Sequence, residues 1–110
     1  MSVTIKEPFV VGEKPAPLDY QFLDANGAVI NITGWSAEWH IQERYGAPVI
    51  LTATISDGPN GKVRHTFTGT EFATPGSYTG QFWVGNGTNR YASTAIKFTV
   101  AAAIGTVPSI

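Results

Sequence analysis

The chain has 110 residues, of which 43% are apolar, 12% aromatic and 14% charged, and its formal net charge is −1. That length holds one domain with a single core, and the balance excludes a disordered chain, a basic nucleic-acid footprint and a polybasic membrane anchor. With no cysteine in the sequence, disulfide stapling, thiolate catalysis and zinc-finger architecture are excluded as well.

Residues 1–17 read as an extended arm. Pro8, Pro15 and Pro17 remove backbone donors there, although residues 3–5 and 9–11 could pair at a sheet edge. The first residues have neither an apolar h-region nor a small-residue cleavage site, so no secretory leader is expected and first folding is expected in a cytoplasm. Leu18, Tyr20 and Phe22 alternate with Asp19 and Gln21 as a strand. Asp24-Ala25-Asn26-Gly27 then supplies a tight turn, because Asn-Gly accepts the positive φ that hairpins need. Residues 28–32 return as a short strand. Trp35, Ala37, Trp39 and Ile41 alternate with Ser36, Glu38, His40 and Gln42, the cleanest strand pattern here, with both indoles expected in the core. After a loop at 44–48, Val49, Leu51, Ala53 and Ile55 line one face of the next strand. Asp57-Gly58-Pro59-Asn60-Gly61 is turn chemistry throughout.

Residues 62–68 follow as a strand with Val63 and Phe67 inward, and residues 70–73 suit one helical turn capped by Thr70. From the Pro75-Gly76 corner a strand runs to Gly85, with Tyr78, Phe82 and Val84 on one face and Thr79, Gln81 and Trp83 on the other. Residues 86–90 close another hairpin. Ala92, Thr94, Ile96, Phe98 and Val100 line the last strand, and residues 101–110 form a small-residue, apolar tail without a charged side chain. The rhythm amounts to about seven short strands at the spacing of an all-β sandwich or small barrel. No apolar run approaches the roughly 20 residues of a membrane-spanning helix.

Little in the sequence points to catalysis. Glu38 shares a strand face with His40, but a metal site needs a third ligand, and His40 and His65 are both expected at the surface or rim. No serine stands in a G-x-S-x-G context, and no glycine-rich loop opens a helix. Asp19, Asp24, Asp57 and Glu71 are scattered; Asp57 with Asn60 could hold calcium, against the plainer role of capping its turn. Two N-x-T patterns, at Asn31 and Asn86, carry no weight without a leader. Neither an enzyme nor a cofactor or metal is expected.

The interaction candidates are clearer. Trp83 places a large indole on the face that should be wet, where it is met either by a partner or by the arm. Tyr91, Arg90 and Tyr45 lie at loop edges and are the residue types that anchor interfaces. Phe9 in the arm and Ile104, Val107 and Ile110 in the tail complete the set. A surface this rich in Thr, Ser, Asn, Gln and Gly desolvates cheaply, which suits burial against neighbours. Alternatively, Trp83 and Tyr91 stack on sugar rings, which would make the chain a carbohydrate-binding module for adhesion to a host surface.

The succession Val11-Gly12-Glu13, Phe22-Leu23-Asp24-Ala25-Asn26-Gly27, Ile32-Thr33-Gly34-Trp35, Asp57-Gly58-Pro59-Asn60-Gly61-Lys62-Val63 and Thr74-Pro75-Gly76-Ser77-Tyr78 resembles the immunoglobulin-like β-sandwich domains of tailed-phage particles. The N-terminal domain of baseplate upper proteins is one of them. The resemblance implies a single immunoglobulin-like antiparallel β-sandwich over residues 18–100, between the arm (1–17) and the tail (101–110). It also implies a non-enzymatic virion component, assembled in the host bacterial cytoplasm, present in many copies and docked to capsid, connector or tail subunits. Neither nucleic acid nor membrane is among the implied partners. Baseplate members continue into oligomerisation or receptor-binding regions, whereas this sequence stops at Ile110. A head-decoration, connector or tail accessory role is therefore expected.

Overall fold

The computed structural model describes residues 9–110. Among them are eight strands and no helix: β1 Phe9–Val10, β2 Leu18–Gln21, β3 Ser36–Glu43, β4 Val49–Asp57, β5 Lys62–His65, β6 Gly76–Gly85, β7 Arg90–Ala92 and β8 Ile96–Ala101. They form one sheet in the order β1-β8-β6-β3-β4-β5-β2, with β7 also paired to β6. The expected all-β fold is the one the chain adopts. The sheet is mixed rather than wholly antiparallel, because β1 runs parallel to β8 with Phe9 opposite Val100.

Strand β4 makes the sheet curl. Its first half pairs with β3, Ala53 opposite Ala37. Its second half pairs with β5, and the register shifts between Ile55 and Asp57. Bulges of this kind bend a strand and sharpen its twist. The curl brings β2 and β5 over β3 and β6. Tyr20 stacks on Phe82 with centroids 6.3 Å apart, and the His65 ring lies 4.5 Å from the Trp39 ring. The core between them is strongly aromatic, with Phe9, Trp39, Phe72 and Phe82 all essentially without solvent exposure. Gly80 makes room for it, since a Cβ there would stand 3.1–3.3 Å from Trp39 and Phe98.

Period-2 alternation places side chains correctly along β3 and β6. Ala37, Trp39 and Ile41 are buried, as are Tyr78, Phe82 and Val84, and the intervening residues face out. The Asn26-Gly27 and Asn60-Gly61 turns form with both glycines at positive φ, 81° and 70°. Asp24 caps the first by accepting from the N–H groups of Asn26 and Ala28. In the second, the Asn60 amide donates to Asp57.

Several expectations need correction. Phe9 is not an arm residue free to meet a partner. It is 1% exposed, stacked on Phe72 and edge-on to Phe98, because β1 pairs with β8 and turns that ring inward. Residues 28–32 make no strand; a single Leu23–Val29 bridge stands in its place. Residues 70–73 contain a turn and no helix. The last strand breaks in two at residues 93–95, where buried Ser93 accepts from the Phe82 N–H and donates to the Thr94 carbonyl. As a result Ala92 is exposed rather than inward. Trp35 precedes β3 and is only half-buried. The edge pairing of residues 3–5 and the conformation of residues 1–8 lie outside the described residues.

Candidate interaction surface

The outward residues of β4, β3 and β6 form rows across the strands. Ile50 stands opposite His40, and His40 opposite Gln81. Thr52 stands opposite Glu38, Glu38 opposite Trp83, and Trp83 opposite Ala92 of β7. Period-2 geometry alone puts all of these on the face away from the core. Ile50 is 60% exposed. Trp83 is half-buried among polar neighbours: its indole N–H donates to Gln81 at 3.1 Å, and its ring centre lies 6.0 Å from that of His40. His40 in turn contacts Glu38 at 2.8 Å. Among the described residues no three His, Cys, Asp or Glu side chains converge as a metal site would require.

The β3–β4 hairpin extends this face. Tyr45 is 84% exposed at its tip, with the Arg44 guanidinium 5.2 Å from its ring centre. The Tyr45 N–H is held by Glu43. Tyr91 belongs elsewhere. It pairs with inward Val84 and stacks on Trp35 at 5.8 Å, the planes 12° apart. Tyr91 and Trp83 are adjacent in neither row nor face, so the two rings do not form one stacking face for a sugar. Arg90, one residue earlier on β7, faces solvent.

Beyond β8 the chain carries Ile104 and Ile110 with essentially complete exposure. Val107 between them is 42% exposed and folds back onto Gly12: a Cβ at Gly12 would stand 2.7 Å from a Val107 methyl. Gly12 has φ +86°. The tail therefore lies on the turn that follows β1 and touches it through one side chain at least.

The sequence reading missed one polar cluster altogether. His65 is buried, not at the rim, because it alternates inward with Val63 and packs on Trp39. Its Nε2 lies 2.8 Å from Glu71, and both side chains are nearly inaccessible, at 6% and 2%. The Glu71 carboxylate also accepts from the Thr68 N–H, the Gly69 N–H and the Thr68 hydroxyl. Burial by itself would push this carboxyl up. The backbone N–H groups of Thr68 and Glu71, together with His65, outweigh it and hold the carboxyl below the ordinary range. Thr68-x-x-Glu71 is the spacing of a helix capping box, here closed without a helix, and that spacing was the available signal. The pair lies at the side of an open groove of about 580 Å³ between the β3–β4 hairpin and the loop after β5.

No protein-family model matches the sequence, and no curated protein resembles it significantly.

Proposed function

We propose that the chain is a non-enzymatic docking module of a tailed-phage particle, an immunoglobulin-like β-sandwich present in many copies and attached to capsid, connector or tail subunits. The observation that carries this reading is the tail: Ile104 and Ile110 are fully exposed in a segment, residues 101–110, that contains no charged side chain. Isolated apolar side chains are ordinary on a surface, but an uncharged apolar segment that covers little of its own domain is suited to another surface. On the outer face Ile50 and His40 of one row, with Trp83 of the next, offer a second contact of the aromatic-and-aliphatic kind that anchors interfaces. The tyrosine-corner contact, in which the Tyr78 hydroxyl donates to the Thr74 carbonyl at 2.6 Å, accords with the sandwich family.

Removing residues 103–110 tests this. Ala103 is small and partly buried, and Val107, packed on Gly12, is half-exposed already, so the expected loss is about 1 kcal/mol or less. Thermal unfolding should shift by only a few degrees. Incorporation into particles, measured by co-sedimentation, should fall sharply. Unchanged incorporation would remove the tail from the docking surface, and unfolding of the truncated chain would make it part of the core.

A further inference from the structure

Beside Trp83 the outer face deepens into an open groove of about 400 Å³. One wall is the start of β3, with Ser36 and Glu38; the other is the β6–β7 connection, with Asn89 and Arg90. Gly34 and Gly87 keep the rim low, since nothing lies within 4 Å of where their Cβ atoms would be.

Two properties of this groove bear on a ligand. The first is that Trp83 is held in one orientation. Its indole N–H donates to Gln81 Oε1, and Gln81 Nε2 donates to the Ser93 carbonyl at 2.9 Å. Ser93 is itself buried and fixed by the Phe82 N–H. Ordering two large surface side chains through this relay costs rotamer entropy, and the ring is on the side of the sheet opposite the aromatic core. The second is that the polar groups around the ring are available. Ser36, Asn89 and Arg90 make no side-chain hydrogen bond among the described residues, and Glu38 engages only Oε1, with His40. Donors and acceptors are both present, and the Glu38 and Arg90 charges cancel.

We propose that this groove binds a neutral saccharide, with one pyranose ring laying its C–H face on Trp83 and exchanging hydroxyl hydrogen bonds with Glu38, Asn89 and Arg90. A sugar is the ligand class that offers an apolar face and groups that both donate and accept. An anion would meet Glu38, a cation would meet Arg90, and an apolar peptide would leave the polar walls desolvated without partners. This is independent of the tail-borne docking reading, and it needs no contribution from Tyr91.

The test is an NMR titration of the ¹⁵N-labelled full chain with maltohexaose, cellohexaose and chitohexaose, each to about 10 mM. At least one is expected to give saturable shifts at the Trp83 indole N–H and at the backbone of residues 85–90. Trp83→Ala should weaken that binding at least tenfold, roughly the effect of losing an anchor residue, and Lys62→Ala, exposed on β5, should leave it unchanged. Should Trp83→Ala fail to fold, Asn89→Ala and Arg90→Ala read the same site from exposed positions. No saturable shift with any of the three sugars, or equal affinity in the groove variants, overturns the proposal. So does a peptide of residues 103–110 that moves these resonances when the sugars do not, which would make the groove a peptide site.

Discussion

Glu71→Ala is expected to destabilise the chain by about 3–5 kcal/mol, because several donors left without their acceptor cost about 1–3 kcal/mol each where they are buried. In a domain of this size that lowers the melting temperature by roughly 10–20 °C. The reason is the number of groups that depend on one carboxylate. His65 would be left buried against Trp39 without its partner, and the Thr68 and Gly69 N–H groups would lose theirs. The loop from 66 to 75 carries Phe67 and Phe72 into the core, so its release also loosens the packing around Phe9. Glu71→Gln keeps the shape and should recover part of the loss.

The same carboxylate sets an acid limit. Because the folded-state value lies below the usual 4.5 of glutamate, folding favours the ionised form. Its contribution is complete above the unfolded value and is lost as the pH falls from about there through the lower folded value. Chemical denaturation between neutral pH and about pH 3 should show the parent chain losing stability relative to Glu71→Gln as the acid range is entered. Parallel pH profiles for the two would remove Glu71 from the acid limb.

What could be read in the sequence, and what could not, follows from the range of the interactions. The β3 and β6 faces were legible because alternation is local: each residue's side is fixed by its neighbours two positions away. The two Asn-Gly turns were legible for the same reason. Edge pairing at residues 9–11 was legible, but the burial of Phe9 was not, because whether an apolar residue beside Pro8 turns into the core depends on a parallel pairing with Val100, 91 residues later in the chain. His65 shows both sides of this. Its inward position could be read from Val63 and Phe67, yet a histidine is accepted there only because Glu71 arrives from a loop that has no periodic signal. The interaction surface is mixed in the same way. Trp83 could be placed outside from its own strand, whereas the separation of Tyr91 from it depends on the break at Ser93 and on the stack with Trp35.

Gly61→Val should be far more damaging than Gly27→Val, although both glycines occupy Asn-Gly turns at nearly the same φ. At position 27 nothing lies within 4 Å of a new Cβ, so only the conformational penalty of a β-branched residue in the left-handed region applies, about 1–2 kcal/mol. At position 61 the Cβ would stand 2.6 Å from the Ile30 carbonyl oxygen and 2.8 Å from that of Phe22. Those carbonyls cannot move cheaply. The Phe22 carbonyl accepts from the Ile30 N–H, and the Gly61 carbonyl accepts from the Phe22 N–H, so three segments meet at this point through backbone alone. Displacing them disturbs the junction of β2 with the β4–β5 turn, and a total of at least about 3 kcal/mol is expected, in the range reserved for overpacked or strained sites. Asparagine separates the two causes, since it tolerates positive φ but still brings a Cβ. Gly27→Asn should stay within about 1 kcal/mol of the parent, while Gly61→Asn should remain strongly destabilised. Equal denaturation midpoints for the two asparagine variants would show that the close approach of residue 61 to Phe22 and Ile30 does not constrain the fold.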